Sequence, residues 1–167
     1  GTAWAAWCIL QNWVRASAPC GAVNCAGVGP DRVEEVLFGR ESLERGVEAG
    51  LLEQANGGSV YFDEVADMPL GTQTKILRVL VDQSFTRVGG SDKIKVDLRV
   101  ISSTSKDLAE EIEAERFREE LYHRLNVVPI AVPSLSERRE DIPVLAEYFI
   151  NGFNETQGLP QRELSDD

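Results

Sequence analysis

Histidine and cysteine are scarce in this chain, which has one histidine, His123, and three cysteines, Cys8, Cys20 and Cys25, among 167 residues. The cysteines form no Cys-x-x-Cys pair and His123 lies far from them, so no metal site is expected and no disulfide framework is implied. Free thiols in the cytoplasm are the plain reading. Basic residues are also few: 17 against 28 acidic ones, a formal net charge of −11. Such a surface repels phosphate backbones, so this segment is not expected to touch DNA directly. No apolar run approaches the roughly 20 residues that cross a bilayer, so no membrane contact is expected. Residues 1–14 carry Trp, Cys and Leu without a basic leader, unlike a signal peptide. Tryptophan is absent beyond Trp13. Trp4, Trp7 and Trp13 share the first 25 residues with all three cysteines, so the beginning differs in character from the rest. There is no internal repeat and no low-complexity tract.

What remains is an ordinary globular composition, 43% hydrophobic and 27% charged, in a length that suits one domain or a large part of one. Apolar periodicity predicts a helix over 3–16 and a short strand over 22–26. A helix opened by Pro30 follows, in which Val33, Val36 and Leu37 recur until Gly39. A second helix is predicted over 42–55 from Leu43, Val47 and Leu51 at four-residue steps. Asn56-Gly57-Gly58 is a turn signal, and residues 59–62 form a β-prone run. A helix over 72–82, a strand over 96–101, helices over 106–117 and 119–125, a strand over 127–132 and a helix over 139–153 complete the pattern. Strands alternating with helices of this length imply an α/β fold in three layers, a parallel sheet covered on both faces.

In such sheets ligands bind outside the carboxyl ends of the strands. Asp63-Glu64 stands there, directly after an apolar strand. An aspartate so placed can hold Mg²⁺ through its water shell, and the next carboxylate can polarise an attacking water. Read alone, the same residues also suit a helix N-cap or a solvated turn.

The run Gly57-Gly58-Ser59-Val60-Tyr61-Phe62-Asp63-Glu64-Val65-Ala66-Asp67-Met68-Pro69 resembles the Walker B segment of sigma-54 activators, bacterial AAA+ ATPases. It is followed in order by Gln73-Thr74-Lys75-Ile76-Leu77-Arg78-Val79-Leu80 and Phe85-Thr86-Arg87-Val88-Gly89-Gly90. Phe117-Arg118-Glu119-Glu120-Leu121-Tyr122-His123-Arg124-Leu125-Asn126-Val127 and Glu137-Arg138-Arg139-Glu140-Asp141-Ile142-Pro143 continue the series. The resemblance covers about residues 23–149. It implies a P-loop NTPase core with ATP and Mg²⁺: a partial α/β subdomain over 1–132, with 1–22 an atypical or truncated P-loop region, and the start of a helical lid over 133–167.

The resemblance also implies roles. Asp63 is similar to the Mg²⁺-associated acid and Glu64 to the carboxylate that activates water. Asn24 is similar to the asparagine that holds this glutamate in an inactive pose, an amide being able to hydrogen-bond a carboxylate. Thr104 is similar to the sensor I threonine near the γ-phosphate, although Ser105 stands where Asn or His usually follows. Arg118 and Arg124 are similar to the pair offered to a neighbouring subunit's nucleotide, a task suited to the planar guanidinium fork. Apart from the resemblance, the two arginines also suit a solvated helix, paired to nearby glutamates. An arginine acting in trans implies a ring, a hexamer in the family.

Two departures follow. Leu37-Phe38-Gly39 leads into a short stretch without the Gly-Ala-Phe-Thr-Gly-Ala loop that pushes on sigma-54, so direct action on sigma factor or RNA polymerase is not expected. With Asp67-Met68-Pro69, Val81-Asp82-Gln83 and Gly158-Leu159-Pro160, this absence is most similar to the NtrX branch of nitrogen response regulators. Members of that branch join a receiver domain, an AAA+ core and a DNA-binding helix-turn-helix domain. Second, if Gly1 and Thr2 are the nucleotide-binding tail of a P-loop, Ala3 stands where a glycine belongs. Trp4 then replaces the lysine and supplies no cation. Two functions stay open: a hydrolysing ATPase domain of a cytoplasmic two-component transcriptional regulator, or a degenerate module for oligomerisation and regulation.

Overall fold

The computed structural model describes residue 6, residues 17–44 and residues 46–157. The expected helix over 3–16 therefore lies outside the described residues except at Ala6, which is helical and buried. Gly1, Thr2 and Trp4 also lie outside them. The chain divides into two units, one reaching Pro129 and the other beginning at Ile130.

The first unit is built on a three-stranded parallel sheet of β1 (Cys20–Asn24), β4 (Ser59–Asp63) and β7 (Arg99–Ser102), with β4 in the middle. The expected parallel α/β arrangement is therefore present. The central position of β4 explains its composition: Val60, Tyr61 and Phe62 are all buried, with Val60 and Phe62 almost wholly removed from water. Side chains of this kind each contribute about 1.5–3 kcal/mol when buried. Val60 and Phe62 join Val33, Leu37, Phe38, Leu52, Ile76, Val79 and Leu121 in one hydrophobic core. Helix α1 (Pro30–Phe38), with proline at its start, supplies Val33, Leu37 and Phe38 to that core. Helix α3 (Leu70–Asp82) supplies Ile76 and Val79 and ends where Gln83 takes a left-handed conformation.

The helix predicted over 42–55 does not form. Residues 39–49 make an antiparallel hairpin of β2 (Gly39–Ser42) and β3 (Gly46–Ala49), and only α2 (Leu51–Gln54) is helical. Leu43 and Val47, which carried the helical spacing, are exposed, so the apparent stripe has no core to face. Glycine decides the matter. Gly39 and Gly46 sit at φ 73°, and a Cβ on Gly50 would lie 2.2 Å from the Gly39 nitrogen. This close backbone crossing admits only hydrogen at that position.

A second hairpin, β5 (Ser84–Thr86) with β6 (Lys93–Lys95), follows α3. Beyond β7 come α4 (Leu108–Glu113) and α5 (Glu119–Leu125). α4 is shorter than the predicted helix over 106–117: Asp107 caps its start and Glu115, at φ 56°, lies just past its end. The strand predicted over 127–132 is absent among the described residues. Val127, Val128 and Ile130 stand exposed, and no described strand supplies the hydrogen-bond ladder that a strand requires. The second unit holds a 3₁₀ turn at Leu135–Glu137, closed by a capping box between Ser134 and Glu137, and helix α6 (Asp141–Gln157). Among the described residues no helix is long and apolar enough to cross a membrane.

Candidate functional site

The parallel register aligns the carboxyl ends of β1, β4 and β7. Asn24 and Asp63 are direct partners in the β1–β4 pairing, and Phe62 is paired with Ser102 across the β4–β7 ladder. Polar side chains converge at this edge. One oxygen of Asp63, Oδ1, accepts from the Tyr61 hydroxyl at 2.8 Å and from the Ser103 hydroxyl at 2.7 Å. Tyr61 and Ser103 are themselves 2.7 Å apart. The other oxygen, Oδ2, accepts from the Asn24 amide at 3.2 Å. The carboxylate is thus oriented from three sides while remaining at the half-exposed end of the strand.

Asn24 does not hold Glu64 in this structure. Its Nδ2 goes to Asp63, and its Oδ1 accepts from the backbone N–H groups of Ala26 and Gly27 at 2.9 and 3.2 Å. The amide's donor end is taken by Asp63 and its acceptor end closes an Asx turn directly after β1, so the expected amide–glutamate contact is not made. Glu64 instead accepts from Ser105, through both its backbone N–H at 2.9 Å and its hydroxyl at 3.0 Å. Glu64 also takes a left-handed backbone conformation, φ 51° and ψ 54°. For a residue with a side chain this is a strained choice, of the sort that collects at functional sites.

Thr104 lies in the same loop as Ser105, but its hydroxyl oxygen accepts from the Lys106 N–H at 3.1 Å. Lys106 in turn pairs with Asp67, whose carboxylate raises the lysine pKa above its ordinary value. Beside the cluster, the buried Cys25 thiol is pushed up to about 12, first by burial and then by the charges of Asp67 and Asp63.

Arg118 and Arg124 lie apart from this cluster, Arg118 at the N-cap of α5 and Arg124 within it. Both are exposed, and among the described residues neither makes an ion pair. Pairing to nearby glutamates is therefore not what the structure holds. Arg118 is fixed through its backbone: its N–H donates at 2.9 Å to Oε1 of Gln73, a side chain with no exposed surface. Gln73 Nε2 also donates to the carbonyls of Met68 and Arg116, at 2.7 and 3.0 Å. One buried amide thus ties the segment after Asp63-Glu64 to the start of the arginine-bearing helix.

Gln73, Tyr61 and Ser103 were missed as site residues by sequence reasoning. Tyr61 had a usable signal, since it is two residues before Asp63 and so faces the same side of the strand. Ser103 and Gln73 had none, because Asp63 is 40 positions from Ser103 and Arg118 is 45 positions from Gln73.

Among the described residues no group of three or more His, Cys, Asp or Glu converges, so no all-protein cage exists. A single oriented carboxylate, Asp63, fits a cation that keeps most of its waters, as Mg²⁺ does.

The family described as the sigma-54 interaction domain matches residues 1–131. The nitrogen assimilation regulatory protein NtrX of Azorhizobium caulinodans is 53% identical over 154 residues, 92% of this chain and 34% of that protein. The DNA-binding transcriptional regulator NtrC of Proteus hauseri is 46% identical, over 90% of this chain and 33% of its own length. The crystal structure of NtrX from Brucella abortus in complex with ATP is similar at TM-score 0.89 and 50% identity, covering 100% of this chain and 38% of that one. The chain spans about a third of the length of the curated relatives it matches.

Proposed function

This chain belongs to the sigma-54 interaction domain family, and on that premise we propose that it is the central ATPase-type domain of a cytoplasmic two-component transcriptional regulator of the NtrX kind. The observation that carries the reading is the Asp63-Glu64 pair, at the carboxyl end of the central strand with both carboxylates oriented by hydrogen bonds from neighbouring residues. Relatives support it: NtrX from Brucella abortus has been solved in complex with ADP and with ATP, at 48% and 50% identity to this chain.

In this reading Asp63 holds Mg²⁺ through water, and Glu64 accepts a proton from the water that attacks the γ-phosphate. Mg²⁺ supplies charge neutralisation on the phosphate oxygens when bound. Thr104 senses the γ-phosphate. Arg118 and Arg124, exposed and without carboxylate partners, donate to the phosphates of a nucleotide held by a neighbouring copy, which requires self-association as a ring, hexameric in the family. Receiver and helix-turn-helix domains belong to the parent protein, and DNA contact is theirs. The β2–β3 hairpin stands where the Gly-Ala-Phe-Thr-Gly-Ala loop would be expected, so no contact with sigma factor is assigned to it.

A second reading rests on Trp4, which takes the place of the P-loop lysine if Gly1 and Thr2 are the tail of that loop: a non-hydrolysing module for assembly and regulation. Binding of a fluorescent ATP analogue with Mg²⁺, measured beside phosphate release for the chain and for Glu64→Ala, separates the two. The ATPase reading expects saturable binding by both and phosphate release from the unaltered chain alone. Folded protein that binds no analogue would leave only the scaffold.

A further inference from the structure

Ser105 departs from the Asn or His usual in the family at this position. In the structure it is the residue that grips Glu64. Its backbone N–H and its hydroxyl both donate to the same carboxylate oxygen, Oε2, at 2.9 and 3.0 Å. The other oxygen, Oε1, has no hydrogen-bond partner among the described residues. The surrounding backbone is equally committed. Val65 N–H donates to the Ser103 carbonyl and Ser103 N–H to the Phe62 carbonyl, each at 2.9 Å, and Lys106 pairs with Asp67. The loops that follow β4 and β7 are therefore tied together on both sides of Glu64. Asn24, the residue expected to hold this glutamate, is engaged with Asp63 and its own turn.

We propose that Ser105 is a positioning residue for Glu64: its two donors pin one carboxylate oxygen and present the other to the attacking water. The inference rests on the reading of Glu64 as the general base. A base must sit within hydrogen-bond reach of the proton it takes, and a carboxylate free to rotate spends much of its time out of that geometry. Two donors on one oxygen remove that rotation, and because both belong to the segment bearing Thr104, the carboxylate is fixed relative to the loop assigned to γ-phosphate sensing.

The test has two arms on the full chain. In the first, amide hydrogen exchange of Ser105 is compared between the unaltered chain and Glu64→Ala, with the Ser103 amide as internal reference. Faster exchange at Ser105 alone supports the contact, and unchanged exchange overturns it. Where Glu64→Ala also accelerates Ser103, Glu64→Asp, shorter by one methylene, is used with the same criteria. In the second arm, steady-state ATP hydrolysis is measured for Ser105→Ala and Ser105→Thr. The expected result is a fall in kcat of about tenfold for Ser105→Ala, the size of one lost charge-assisted hydrogen bond. KM should be unchanged, and Ser105→Thr, which keeps both donors, should restore kcat. An unchanged kcat, or a change confined to KM, overturns the positioning role. If the unaltered chain hydrolyses no ATP, the ATPase reading fails and Ser105 has no base to position, while the exchange arm still decides whether Ser105 holds Glu64.

Discussion

Asn24 and Asp63 face each other at the carboxyl ends of β1 and β4, and the Asn24 amide donates to Asp63 Oδ2 at 3.2 Å. The same side chain accepts from two backbone N–H groups. It therefore does two jobs, orienting an acid and closing a turn. Asn24→Ala is expected to destabilise the fold by only about 0.5–1 kcal/mol, because the turn is exposed and water replaces the lost acceptor. A urea midpoint indistinguishable from that of the unaltered chain would contradict this.

Gln73 offers the contrast. It is fully buried and satisfies the Met68 and Arg116 carbonyls and the Arg118 N–H. Gln73→Leu keeps the volume but leaves three backbone groups without partners where water does not readily reach. The expected loss is about 2–4 kcal/mol, well above that of Asn24→Ala. Urea unfolding of the two variants side by side checks the order, and equal midpoints would sink the argument.

Glu111 sets an acid limit. Its carboxylate accepts from Arg116 Nε and Nη2, each at 2.8 Å, and this pairing lowers its pKa below the ordinary 4.5. A carboxylate whose folded pKa is depressed stabilises the fold above its unfolded pKa and loses that contribution as pH falls through the folded value. Stability of the unaltered chain is therefore expected to decline below about pH 4.5. Glu111→Gln should show a shallower decline over the same range. Denaturant midpoints measured from pH 6 down to 3 read this directly, and parallel curves would exclude a role for the pair.

Cys25 and Cys20 should differ in reactivity. Cys25 is buried and its thiol is pushed up to about 12, whereas Cys20 is exposed and its pKa is raised by partial burial alone. Because the thiolate is the nucleophile, alkylation at pH 8 is expected to mark Cys20 and spare Cys25 until denaturant is added. Peptide mass spectrometry assigns the sites, and labelling of Cys25 in the folded chain would refute the stated environment.

Much of the fold was legible in local pattern. The run Ser59–Asp63 reads as a buried strand because four consecutive positions shun water, and Asp63-Glu64 is marked by its abrupt polarity after that run. The α3 helix reads from Ile76, Leu77 and Leu80 at helical spacing. The stretch 42–55 misled because Leu43, Val47 and Leu51 carry a helical period with no core behind it. The glycines that impose a hairpin do so through a crossing between Gly39 and Gly50 that no single segment contains.

The sequence by itself determined the parallel α/β class, the family and the identity of the acids at the sheet edge, because each is written in short-range composition and order. Only the tertiary structure decided which neighbour holds each acid. Asn24, Tyr61 and Ser103 take Asp63, Ser105 takes Glu64, and Gln73 takes the backbone of Arg118. The physical reason is that a hydrogen bond is satisfied by whichever donor the register of β1, β4 and β7 brings within about 3 Å, and that register is a property of the packed sheet.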